Sequence, residues 1–159
     1  MPLCQIRNVR REPEEMSTIR DITAEETYTI RKEELRKNVS LSHKMQGDED
    51  DDTLHLGCFD EGELVGIVSL MQVSLPGFPE RPQYQIRGMA TSSRFQGRGY
   101  GKQLLAEAEK RMKSRGVQFV WCNARVIALD FYLKMGYAIE GSSFELPEIG
   151  PHFKMYKRL

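Results

Sequence analysis

The sequence predicts one α/β domain spanning residues 1–159, with a mixed, mostly antiparallel central sheet flanked by helices. Three observations lead to this fold class. Strand-like and helix-like apolar periods alternate along the chain. Two strand-like runs, LHLGCF (54–59) and LVGIVSLMQV (64–73), are separated only by the turn around DEGE (60–63), which makes an antiparallel hairpin. A basic, glycine-rich stretch, RFQGRGYGKQLL (94–105), falls where a strand pattern gives way to a helical one.

The elements follow in order. Thr23 and Glu26 form a capping box, and good helix formers continue from Ala24 to about Asn38. The acidic run GDEDDD (47–52) lacks the alternating ligands of a calcium loop and is expected to be a solvated loop without metal. After the hairpin and the Pro-rich turn LPGFPERP (75–82), YQIRGMATS (84–92) is a third strand. The helix after the glycine-rich loop carries Leu104, Leu105, Ala108 and Met112 on one face and closes at Arg115-Gly116. VQFVWCN (117–123) is a fourth strand, ARVIALDFYLKM (124–135) a short helix stopped by Gly136, and YAIEGSSFEL with HFKMYKRL a closing strand pair.

Composition narrows the function. Lys plus Arg and Asp plus Glu number 23 each, so the chain offers no broad attraction to nucleic acid or to an anionic membrane. Cys4, Cys58 and Cys122 are an odd number in no metal-ligand spacing, and they read as reduced thiols in a cytoplasm. The amino-terminal residues turn charged too early for a signal peptide, and no apolar run reaches the 18 or so residues of a membrane span.

The glycine-rich loop has chemistry of its own. The first amides of a helix lack partners within the helix, and its dipole places about half a positive charge there. Glycines at 97, 99 and 101 allow positive φ and a close approach, while Arg94, Arg98 and Lys102 add charge. An anion such as a pyrophosphate is the expected ligand. The Walker pattern is missing, since Gly101-Lys102 is followed by Gln103. The dinucleotide fingerprint also fails, because the spacing is Gly-x-Gly-x-Gly and Phe119-Val120-Trp121 stands where a ribose-binding acid should be.

Gln96-x-x-Gly99-x-Gly101, after a strand ending in Gly88-Met89-Ala90-Thr91, resembles the acetyl-CoA pyrophosphate loop of the GNAT superfamily of N-acetyltransferases. NARVIALDFYLKMGY (123–137) resembles that superfamily's second cofactor motif, and EIGPHFKM (148–155) is similar to the last strand region of some bacterial members. The resemblance implies a sheet splayed at the cofactor site. It implies that the backbone of Met89 and Ala90 bonds the pantetheine arm of acetyl-CoA. It further implies that the amides of Gln96, Gly97, Arg98, Gly99, Tyr100, Gly101 and Lys102 hold the pyrophosphate, with Arg94 beside them. Asn123 and Arg125 would lie along the pantetheine, Tyr132 near the thioester sulfur, and Phe131 in the core. A homodimer is common among such proteins.

A thiol leaving group has a pKa of about 8.5, whereas a tyrosine keeps its proton to about pH 10, so Tyr132 suits the role of general acid. An alkylamine acceptor must lose a proton, and His152 is the candidate base at the edge of the acceptor cleft. His55 is expected to face solvent, Glu63 to belong to the hairpin turn, and Cys122 to be a small buried hydrophobe. The expected function is transfer of an acetyl group from acetyl-CoA to a primary amine of a small molecule or peptide by direct attack. The alternative is an acyl-CoA-binding or sensing module without turnover.

Overall fold

A computed structural model describes residues 17–159, so Cys4 and the charged amino-terminal stretch lie outside the described residues. The strands are β1 (Ser17–Asp21), β2 (Leu54–Asp60), β3 (Glu63–Gln72), β4 (Gln83–Thr91), β5 (Phe119–Arg125), β6 (Ala138–Leu146) and β7 (Gly150–Arg158). The α-helices are α1 (Ala24–Ile30), α2 (Tyr100–Ser114) and α3 (Leu129–Lys134). The sheet order is β1-β2-β3-β4-β5-β7-β6, and only β4 and β5 run parallel. A mixed, mostly antiparallel sheet with helices is therefore present as expected.

Leu104, Leu105, Ala108 and Met112 bring one face of α2 onto the sheet and are fully buried. They pack with Leu56, Val65 and Val68 from the hairpin in the main core. The capping box at Thr23 forms, with Glu26 N–H donating to Thr23 Oγ1 at 3.2 Å and Thr23 N–H donating to Glu26 Oε1 at 3.1 Å.

Four expectations need correction. Strand β1 is unannounced in the sequence because it is short and its outer residues Arg20 and Asp21 are exposed; it pairs with β2 at the sheet edge. The first helix is α-helical only to Ile30 and continues as wider π turns over Arg31–Leu35, ending short of Asn38. Ala124 and Arg125 are the last residues of β5, and the following α-helix begins at Leu129 after a 3₁₀ turn.

The fourth correction concerns charge. The acidic run is solvated at Glu49 to Asp52, but Asp48 is buried and grips the fully buried Arg31. Arg31 Nη1 and Nη2 donate to Asp48 Oδ2 and Oδ1 at 2.8 and 2.9 Å, and Nη2 also donates to Ser69 Oγ at 2.9 Å. His55 is buried in the same network rather than facing water. Its Nε2 lies 2.8 Å from the Asp48 carbonyl and its Nδ1 2.6 Å from Ser69 Oγ. A carbonyl can only accept, so Nε2 carries a proton, and in the neutral ring Nδ1 then accepts from the Ser69 hydroxyl. That leaves a Ser69 lone pair for Arg31.

Candidate active site

Strands β4 and β5 pair only from Gln83↔Phe119 to Ile86↔Cys122. Beyond that point Arg87–Thr91 and Asn123–Arg125 diverge, and the sheet is splayed as the resemblance implied. Gly88, at φ +56°, begins the divergence in a backbone conformation that L side chains rarely adopt. The free edges of both strands present backbone groups to the gap.

The glycine-rich loop closes one end of the gap. Gly99 is the N-cap of α2 at φ +86°, with no side chain capping the helix, and the first turn bond is Gln103 N–H to the Gly99 carbonyl at 3.1 Å. A Cβ placed on Gly97 or Gly99 would meet nothing within 4 Å. Their positive φ sets the need for glycine, and the space in front of the first amides stays open. Tyr100 anchors the loop from below, donating to Asp60 Oδ2 at 2.6 Å within the core. Its backbone belongs to the loop, while its side chain is structural.

The charges expected here divide. Arg94 is paired with Glu63 of β3 at 2.5 Å, so Glu63 holds a loop arginine besides starting its strand. Arg98 lies over the Phe95 ring at 5.1 Å, exposed along with Lys102. Gln96 Nε2 donates to the Thr91 carbonyl at 3.1 Å and ties the loop to the end of β4.

Two cavities meet in the splay. The larger, about 520 Å³, runs from Gln96 and Gly101 past Met89, Ala90 and Phe131 to Tyr132. The smaller, about 190 Å³, lies beyond Tyr132 and is bounded by Asn123 and His152. Tyr132, Met89 and Arg125 line both. Phe131 is half-buried: it packs against the main core, as expected, and also lines the larger cavity beside Gly101. Asn123 faces the smaller cavity and not the larger one, and its buried Oδ1 has no partner among the described residues.

Tyr132 is buried, its hydroxyl 3.6 Å from Met89 Sδ. Burial, with Cys122 adjacent, pushes the phenol pKa well above its ordinary value, so the group remains a proton donor. Cys122 also lines the smaller cavity, but burial raises its thiol to about 12 and leaves almost no thiolate at neutral pH. His152 is buried opposite Arg125 across the β5–β7 ladder. Its Nδ1 stands 2.7 Å from the Gly150 carbonyl and must donate to it, which leaves Nε2 of the neutral ring as the lone-pair nitrogen.

Arg36 and Arg87 also line the smaller cavity. No motif marks them: one lies just after the π turns and the other in β4, and only the fold brings them together. The one available signal was Arg87 immediately before Gly88, a charge at the point where the strand breaks.

The model of the acetyltransferase (GNAT) family matches residues 15–137. An uncharacterised N-acetyltransferase, YitI of Bacillus subtilis, is 38% identical over 145 residues, covering 91% of this chain and 97% of that protein. Among solved structures, Escherichia coli ElaA superposes with a TM-score of 0.72 at 18% identity, covering 89% of this chain and 99% of that one. An aminoglycoside 6'-N-acetyltransferase complexed with coenzyme A superposes with a TM-score of 0.71 at 16% identity, covering 89% and 96%. These two show a shared fold. With the family model spanning most of the chain and a relative matched almost end to end, the protein belongs to the acetyltransferase (GNAT) family and is an acetyl-CoA-dependent acyltransferase.

Proposed function

We propose that the protein moves the acetyl group of acetyl-CoA onto a primary amine by direct attack in a ternary complex. The observation that carries this reading is the position of Tyr132, buried where the two cavities meet. The larger cavity suits the pantetheine arm, along the free edge of Met89 and Ala90. The amides from Gln96 to Lys102 suit the pyrophosphate, since the unfilled positive-φ glycines leave room for it. Bound there, acetyl-CoA supplies an electrophilic thioester carbon and a thiolate leaving group.

The chain's own residues manage two protons. Asn123 Oδ1, a buried acceptor without a partner among the described residues, suits an N–H of the incoming amine. His152 takes a proton from that amine at Nε2, while its Nδ1–H stays on the Gly150 carbonyl and fixes the ring. Tyr132 delivers its phenolic proton to the departing sulfur. Cys122, held protonated, is unsuited to carry the acetyl group, which supports direct attack over an acetyl-cysteine route. His152→Gln keeps a polar side chain and removes the base; kcat should fall about 10²-fold or more while the acetyl-CoA Kd stays within a factor of two. An unchanged kcat would remove His152 from proton transfer.

The reading as a whole is tested by thermal stabilisation with acetyl-CoA, coenzyme A, ATP and NAD side by side, followed by thiol release with an amine panel. Ligand at 100 times its Kd adds about 2.7 kcal/mol, or roughly 5–11 °C in Tm for a chain of this size. The shift is expected with the two CoA compounds alone. Gly99→Asp should weaken acetyl-CoA at least tenfold, because it forces a side chain at φ +86° and points a carboxylate into the loop. A shift with ATP or NAD in place of CoA would overturn the reading. We assign the reaction to the cytoplasm, on the support of the buried free thiols Cys58 and Cys122.

A further inference from the structure

The smaller cavity carries an unusual charge. Arg36, Arg87 and Arg125 all line it, and no carboxylate does. None of the three is ion-paired among the described residues. Arg36 Nη1 and Arg125 Nη2 donate to the same carbonyl, that of Leu35, at 3.2 and 3.0 Å, which holds two like charges side by side. Arg36 Nε donates to the Ser42 carbonyl at 3.0 Å, and the Arg87 guanidinium makes no hydrogen bond among the described residues. Asp48, whose charge acts on Arg87, is already taken bidentately by Arg31.

All three arginines are half-buried. Burial lowers the pKa of each, and neighbouring arginines lower those of Arg36 and Arg87 further, yet a guanidinium stays charged at any physiological pH. Uncompensated like charges in a recess are costly unless an anion completes them. Planar guanidinium forks match carboxylate and phosphate oxygens in pairs, which an ammonium cannot offer. At about 190 Å³, against a water's share of about 30 Å³, the recess holds a molecule of roughly six waters' volume.

On the transferase reading above, we propose that the acceptor is a small primary amine that also bears an oxyanion, a carboxylate or a phosphate, seated on Arg36, Arg87 and Arg125. The anion fixes the molecule at the arginine wall, and its amine reaches toward Asn123, His152 and Tyr132. The same wall repels polycationic amines. Specificity thus comes as much from repulsion as from attraction.

The test fills the cofactor loop first. With coenzyme A saturating, Tm is recorded against inorganic phosphate, β-alanine, O-phosphoethanolamine, ethanolamine and spermidine at matched ionic strength. The anion-bearing probes should raise Tm by about 3–6 °C at ten times Kd, and ethanolamine and spermidine should not. The carboxylate and phosphate arms tell which oxyanion is preferred. Arg87→Gln, or Arg36→Gln should the first variant fold poorly, should abolish the anion shift and keep the coenzyme A shift. In thiol release, the same variant should raise KM for anionic acceptors at least tenfold with kcat much less affected. Equal shifts from ethanolamine or spermidine, no shift from any anion, or an anion shift that survives both substitutions would overturn the proposal. Loss of the coenzyme A shift in the unmodified protein would instead defeat the transferase reading itself.

Discussion

Tyr132→Phe should lower kcat by about 10²- to 10⁴-fold and leave the acetyl-CoA Kd nearly unchanged. The substitution removes one oxygen from a side chain that is buried between α3 and the main core, and its ring contacts with Phe131 and Tyr137 persist in phenylalanine. The lost partner, Met89 Sδ at 3.6 Å, is a weak acceptor, so folding stability should move little. Thiol release measured beside the Kd separates the roles. A structural tyrosine would show little change in kcat; a proton donor shows the loss in kcat and kcat/KM together. The pH profile adds a second check. Because burial raises the Tyr132 pKa, the donor keeps its proton throughout the range below about pH 10. A basic limb in kcat below that pH which vanishes in the phenylalanine variant would contradict the raised pKa.

What was legible in the sequence follows from where the constraint lies. Gly97 and Gly99 were readable because a positive φ at a strand-to-helix junction dictates residue type at closely spaced positions; Gly101, expected to share that freedom, has an ordinary helical backbone. The α2 face was readable because burial of Leu104, Leu105, Ala108 and Met112 repeats at helical spacing. Tyr132 and the gap beside β5 came from the second motif, whose residues are neighbours in sequence. The acceptor side was hidden. Arg36 and Arg87 come from separate elements and each alone reads as a surface charge, while Arg125 was legible only as a neighbour of the pantetheine and not as part of an arginine wall. His55 misled for a related reason: alternation in Leu54-His55-Leu56 points it away from one apolar face, but α1 and the acidic loop cover the other. Asp48 was hidden by its neighbours, since five consecutive acids read as solvated and its partner lies 17 residues upstream.

Asp48→Asn is expected to be the most destabilising single change of its size in the molecule. The carboxylate accepts both Arg31 nitrogens and the Met45 N–H, the last at 2.8 Å, while Arg31 is wholly excluded from water. Removing one partner of such a pair strands a buried charge and costs about 3–5 kcal/mol, or roughly 6–20 °C in Tm. Thermal unfolding monitored by circular dichroism reads this directly. Burial alone would raise the Asp48 pKa, but the hydrogen bonds from Arg31 and Met45 and the Arg31 charge outweigh it and bring the pKa below 3.8. A depressed carboxylate stabilises the fold above its unfolded pKa and stops doing so as pH falls through the folded value. The difference in stability between the two proteins should therefore be full at neutral pH and shrink below about pH 4. A Tm drop under 3 °C at pH 7 would mean that water reaches Arg31. The loss should also reach function: Arg31 opens the π turns that carry Glu34, Leu35 and Arg36 to the two cavities, so the acceptor KM should rise in Asp48→Asn even at temperatures where the fold survives.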